Sequence, residues 1–241
     1  MESGHNKNAA NLQTVTIILT NLGGAYTPPQ DLIKLPELQT LLTTSQTALG
    51  EVDTAQAAKA VAVDDVQAEF DGLPKYVVNI KRQVQVELND PAFTDNLQNI
   101  VNNFSPPGRK TGVPDDPSTP DIDESRTSQS QSQRSRDNQI AYLADVSALL
   151  KTKPAYKATG TPYEVGTIDA KIASLSAKSN AAGAAVANLG NKLDARDAVI
   201  YDDQTGIIPR IKLIKTYLTL KFGKDSAAYQ QINALEFRKV K

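Results

Sequence analysis

The chain has no cysteine and no tryptophan, one histidine, one methionine, and only 5 % aromatic residues among 241. Lack of cysteine removes disulfides, thiolate nucleophiles and Cys-based metal sites together. It leaves the redox compartment open, because a cysteine-free chain is stable in either. With His5 alone, zinc sites and Ser-His or Cys-His nucleophile systems have no material to work with. We read His5 as a surface residue of an unstructured terminus. No G-x-x-x-x-G-K-[ST] or G-x-G-x-x-G run is there to cradle a phosphate.

Net charge is also lacking, at −1 overall. No global field therefore draws nucleic acid or an anionic membrane. No apolar run approaches the ~18 residues of a membrane span. The first eight residues, MESGHNKN, lack the basic-then-apolar pattern of a signal peptide. These features predict a cytoplasmic protein without cofactor, metal or catalytic residues.

What the chain does have is helical periodicity. In one series Leu38, Leu42, Ser45, Leu49, Val52, Gln56, Lys59, Val63, Val66 and Phe70 alternate spacings of four and three. In a second, Ile168, Ile172, Leu175, Ser179, Ala182, Val186, Leu189, Leu193, Arg196 and Ile200 do the same. The two series match position for position at an offset of 130, each the heptad seam of one long helix of about 33 residues, or ~50 Å. Gln56 and Lys59 interrupt the first seam, where Ala55, Ala58 and Ala62 take over the stripe. A following helix also repeats: Leu73, Val77, Ile80, Val84 and Leu88 match Ile207, Ile211, Ile214, Leu218 and Phe222 at an offset of 134. Gly72 and Gly206 read as left-handed helix stops, with Pro74 and Pro209 in or near the first turn beyond.

A shorter helix opens each half, with Leu12, Val15, Leu19 and Leu22 on one stripe and Ile140, Leu143, Val146 and Leu150 on the other. Each leads to an Ala-Tyr pair, Ala25-Tyr26 and Ala155-Tyr156. A short segment closes each half, Leu97 to Phe104 and Ile232 to Phe237. Between the halves, residues 105–136 hold five prolines, many Ser and Gln, and only Val113 and Ile122 as aliphatics. Such a stretch cannot offset its ordering entropy by burial and reads as a linker or long surface loop.

The expected fold is all-α: tandem-duplicated helical hairpins forming an elongated antiparallel helical bundle with pseudo-two-fold symmetry. Residues 1–104 form the first repeat and 137–241 the second, packed with the first as one domain. Either each long helix is covered by two short ones, or the long and medium helices form a four-helix bundle. Small residues around Ala57–Ala60 and Ala181–Ala187 mark either the contact between the long helices or a groove for a partner helix.

Carboxylates cluster as Asp64, Asp65, Glu69 and Asp71, and again as Asp194, Asp197, Asp202 and Asp203. Di-iron bundles need inward Glu-x-x-His pairs, absent here. The run from Asp202 to Gly206 is only a fragment of a Ca²⁺ loop. We read both clusters as solvated or salt-bridged charge at helix ends. Arg196 falls on a seam and so needs a carboxylate. Asp197 and Asp203 are near in sequence, and an Asp on a facing helix is the better-placed candidate. Charge is uneven along the chain. Residues 207–241 carry eight Lys or Arg against two acids, and residues 51–71 carry six acids against Lys59. The basic stretch makes Arg210, Lys212, Lys215, Tyr217, Lys221 and Tyr229 a candidate interaction surface, unless the two stretches neutralise one another within the protein or between copies. Few aromatics interleave the basic residues, which disfavours nucleic acid.

The second half carries a distinct set: Arg196-Asp197 with Tyr201, Thr205-Gly206-Ile207, Lys215-Thr216-Tyr217-Leu218, Phe222-Gly223, Asp225-Ser226, Tyr229, Ile232 and Phe237-Arg238-Lys239. It resembles a group of uncharacterised bacterial helical-bundle proteins ending in K-x-Y-L, F-G-x-x-S-x-x-Y and F-x-K patterns. The resemblance covers about the last hundred residues; the first half matches only as a diverged copy. It implies a helical fold and no reaction. On the residues themselves, Gly223 should end its helix and Asp225 or Ser226 should cap the next. The expected function is a non-enzymatic structural or protein-interaction role, through self-association as a homo-oligomer or a protein partner. The alternative is a small-ligand or anion-binding bundle using the basic C-terminal helix, with Tyr217 or Tyr229 at the site.

Overall fold

The computed structural model describes residues 3–104 and 135–239. The expected linker, 105–136, lies outside these residues except at its end, where Ser135 caps a helix that begins at Arg136. The described residues are helical and contain no strand. In chain order the helices are α1 (Ser3–Asn21), α2 (Leu35–Asp71), α3 (Leu73–Leu88), α4 (Pro91–Asn102), α5 (Arg136–Lys151), α6 (Val165–Tyr201), α7 (Ile207–Phe222) and α8 (Ala227–Ala234). Both long helices have 37 residues, and both that follow have 16.

Helix ends follow local chemistry. Asn89 takes the left-handed conformation (φ 44°) after α3, and the Asp90 side chain accepts the Phe93 N–H to start α4, with Pro91 in its first turn. Gly223 (φ 83°) ends α7, and Ser226 caps α8 by accepting the Tyr229 N–H. These caps start the two closing helices earlier than hydrophobic spacing alone places them. Gly72 and Gly206 are not left-handed, with φ of −81° and −70°. Glycine is needed at 206 for room: a Cβ there would sit 2.6 Å from the Asp202 carbonyl oxygen.

Two compact units divide the chain, and the division cuts across the sequence halves. The first comprises Met1–Ala60 and Ala184–Lys241, the second Val61–Gly183. Where the sequence predicts one shared core, the structure has two. In the first unit, Leu12, Val15 and Leu19 of α1 and Leu38 of α2 pack with Ile200 of α6, Ile207, Ile214 and Leu218 of α7 and Ile232 of α8. In the second, Val66 and Phe70 of α2, Leu73 to Val84 of α3 and Phe93 and Leu97 of α4 pack with Leu143, Val146 and Leu150 of α5 and Ile168 and Leu175 of α6. Each core is thus a joint product of both halves. Helix-on-helix burial of aliphatic side chains supplies the stabilisation, as a composition poor in aromatics requires.

The long seams are buried over only part of their length. Ala55 is buried, but Ala58 is exposed, and Val61 and Val186 stand 62 % and 50 % exposed. The small-residue stretches around them are therefore not closed at these positions.

Candidate interaction surface

The six residues taken from the basic stretch separate by environment. Arg210 is buried. Its stripe, with Ile207, Ile211 and Ile214, faces the first core. The guanidinium donates from Nε to the Thr205 carbonyl (2.7 Å) and from Nη1 to the carbonyls of Leu32 (2.8 Å) and Glu37 (3.3 Å). Burial lowers its pKa, and the nearby Glu37 charge opposes that. Arg210 is a clamp on the backbone entering α2, so it leaves the candidate surface.

Tyr217 and Lys221 lie one turn apart on α7 and meet the loop before α2. The Tyr217 hydroxyl accepts the Thr27 N–H (3.1 Å), and its ring stands edge-on to Tyr26 at 5.4 Å. Lys221 donates to Thr27 Oγ1 (2.7 Å) and lies over the Tyr217 ring. Burial works against ionising Tyr217, but hydrogen bonds from Lys221 and Thr27 outweigh it and hold the phenol below the ordinary tyrosine value. Tyr229 is half-buried against the first core. Lys212 is exposed and Lys215 half-exposed, and neither makes an ion pair among the described residues. The six residues do not converge on one pocket; two free lysines and the exposed side of α7 are what they leave to solvent.

Arg196 is buried and bridges its neighbour Asp197, Nε–Oδ1 2.9 Å and Nη2–Oδ1 2.8 Å. The partner adjacent in sequence thus takes part, and its carboxylate stays half-exposed. His5 is not a surface residue. It is buried in α1 with Nδ1 2.8 Å from the Tyr201 hydroxyl. One turn on, Asn8 donates to the Arg238 carbonyl (2.7 Å) and accepts its N–H (3.2 Å), which ties the C-terminal stretch to α1. The spacing of His5, Ala9, Leu12 and Leu19 on one stripe carried this signal.

The carboxylate clusters have local partners. Asp202 Oδ1 accepts the N–H groups of Gln204 (3.0 Å) and Thr205 (2.6 Å) and the Thr205 hydroxyl (2.8 Å), which holds its carboxyl below the usual range. This is a turn cap, and it accounts for the fragment resembling a calcium loop. Glu69 accepts Lys171 (3.1 Å) and Lys178 (3.0 Å) from α6, whose hydrogen bonds lower its pKa. Glu51 pairs with Lys192. The acidic stretch is therefore neutralised in part by lysines of α6. Asp53, Asp64 and Asp65 have no ion pair among the described residues. Among the described residues no group of three or more His, Asp or Glu could hold a metal ion, and no helix is long and apolar enough to cross a membrane.

An open cleft of about 350 Å³ in the second unit is lined by Gln67, Phe70, Asp71, Asn103, Phe104 and Arg136. Gln67 and Asp71 bond to each other, and Arg136 lies over the Phe70 ring.

One relationship was not legible as a site. Val86 of α3 and Leu220 of α7 are 81 % and 82 % exposed. They occupy matching positions at the 134-residue offset of the two medium helices.

The chain matches no family model, no curated protein and no solved structure.

Proposed function

We propose that this chain is a non-enzymatic structural or protein-interaction protein that self-associates through exposed helix faces. The observation that supports this most is the pair Val86 and Leu220: large apolar side chains left in water at matching positions of two helices. A single exposed apolar residue is ordinary; the same one twice, at the same register, points to a used surface. Lys212 and Lys215 of α7, and Asp53, Asp64 and Asp65 of α2, make no ion pair among the described residues. Free charges of both signs on different helices are what a head-to-tail contact between copies requires.

Anion binding by the basic helix, the alternative, has less behind it, because Arg210 and Lys221 are already engaged with protein groups. The same reading includes a duplicated ancestry, supported by the paired 37- and 16-residue helices and the shared Ala-Tyr loops. It also includes kinship with the bacterial helical-bundle group and a cytoplasmic location.

Sedimentation velocity over a hundredfold concentration range tests it. The weight-average mass should rise with concentration, and Leu220→Lys and Val86→Lys should each lower that rise, as should high salt. A strictly monomeric parent at every concentration and salt would sink the self-association reading.

A further inference from the structure

We propose that the face of α7 around Leu220 docks on the face of α2 around Val61 in a second copy of this chain. The inference rests on the self-association reading above and names which surfaces meet. Leu220 and Val61 are both large apolar side chains left in water. Neither is covered within the chain, so a partner must come from outside it.

The charge around the two has opposite sign. No Asp or Glu occurs in α7. There Lys212, Thr216 and Leu220 follow at four-residue spacing with Lys215 alongside, so both lysines share the face of Leu220. Lys221 lies round the helix from them and is held by Thr27. On α2, Asp64 and Asp65 come three and four residues after Val61 and share its face. The nearest cation, Lys59, comes two residues before Val61 and falls on the far side of the helix. Lys212, Asp64 and Asp65 are exposed and Lys215 half-exposed, and none of the four makes an ion pair among the described residues.

The spacings also match. The lysines precede Leu220 in the chain, and the aspartates follow Val61. An antiparallel crossing therefore sets Leu220 on Val61 and turns the lysines toward the aspartates, whereas a parallel crossing parts them. Along the axis Lys215 lies about 7 Å from Leu220, and Asp64 and Asp65 lie about 5–6 Å from Val61. The remaining offset is within reach of a lysine side chain. Apolar contact then supplies the centre of the interface and ion pairs its rim. Because the two faces differ, each docked pair leaves one of each kind open, and association continues past a dimer unless a ring closes.

The test uses two double variants of the full chain, Lys212→Glu with Lys215→Glu and Asp64→Lys with Asp65→Lys, in sedimentation velocity at low salt. The parent should form species larger than a dimer as concentration rises. Each double variant alone should associate roughly tenfold more weakly, as expected when two exposed charge pairs turn repulsive. An equimolar mixture of the two should recover the parent's association, because each variant then carries the complement of the other. A control pair, Asp95→Lys with Asp145→Lys, makes the same charge change at exposed positions of α4 and α5 and should leave association unchanged. A parent that stays monomeric overturns the self-association reading and this pairing with it. A parent that associates while Asp64→Lys with Asp65→Lys does no more than the control overturns the pairing alone. So does a mixture that recovers nothing.

Discussion

Tyr26 closes the loop between α1 and α2 by donating its hydroxyl to the carbonyl of Ile33, seven residues on, at 2.6 Å. Tyr156 does the same before α6, reaching the Tyr163 carbonyl at 2.8 Å, also seven residues on. Both rings are buried. Each hydroxyl satisfies a carbonyl one residue before the first that accepts a helical N–H, Lys34 in one loop and Glu164 in the other. Tyr26→Phe or Tyr156→Phe keeps the ring and strands the acceptor. Each should cost about 1–2 kcal/mol, read as a lowered midpoint in urea unfolding. The two sites share no partner, so the double variant should lose the sum to within about 0.5 kcal/mol. No measurable loss from either would show the hydroxyls to be dispensable.

Glu87 and Ala158 make a second tie of the same loop. Ala158 sits in the left-handed region, φ 46°, and is buried. An alanine pays steric strain there, and the Glu87 carboxylate compensates by taking its N–H at 2.8 and 3.1 Å and the Lys157 N–H at 3.4 Å. Glu87→Ala should destabilise by roughly 1.5–3 kcal/mol, the range for hydrogen bonds to a charged acceptor. Glu87→Gln, which keeps one carbonyl oxygen, should lose less. Equal losses from both would mean that the charge contributes nothing.

Periodicity made the helices and their repetition legible, because burial of one stripe is written directly into residue spacing. It did not say which stripe meets which. Two halves that pack as one core and two halves that build two cores have the same pattern, and only the tertiary partners of Leu38 and Leu175 distinguish them. Charge counts place Arg210 on a surface because they ignore register. Its position three after Ile207 and four before Ile214 places it on the buried stripe. The carbonyls that satisfy it come from Leu32 and Glu37, a loop and a helix start that no local pattern links to α7. The Tyr26 and Tyr156 loops were visible as a repeated pair, but their hydrogen bonds depend on backbone geometry that spacing does not encode. Val86 and Leu220 could have been found by asking which apolar residues fall off the stripe at both offsets.

Ser45 tests how strictly the first seam of α2 is packed. Its residue is fully buried, and its hydroxyl has no hydrogen-bond partner among the described residues. Burying an unpaired hydroxyl costs free energy that a methyl group of similar size does not. Ser45→Ala should therefore raise stability by roughly 1 kcal/mol, with no change in helical circular dichroism. A destabilised Ser45→Ala would mean that the hydroxyl has found a partner, such as a bound water, in solution.

The pH profile of stability should fall at both ends for different reasons. On the acid side, hydrogen bonds from lysines lower the pKa of Glu69 and of Asp90, the latter helped by the Phe93 N–H, and hydrogen bonds from Arg238 and then Lys7 lower that of Glu236. Ser147 and Lys151 do the same for Asp169. A lowered carboxyl stabilises the fold above the unfolded pKa, about 4, and that contribution fades as pH falls through the lower folded value. On the alkaline side, burial raises Tyr76 to about 12 and Tyr26 and Tyr156 further still. A raised phenol holds its proton when folded, so its contribution is complete below pH about 10 and is lost as pH climbs above it. Melting temperatures should thus be flat near neutrality, decline below about pH 4 and decline again above about pH 10. Tyrosinate absorbance follows the summed ionisation of the eight tyrosines. Tyr217 should ionise early, and these three should ionise last or only with unfolding. In the double variant Tyr26→Phe, Tyr156→Phe, the alkaline decline should be shallower even though the protein is less stable at neutral pH. An alkaline decline as steep as in the parent would mean that ionisation elsewhere drives it.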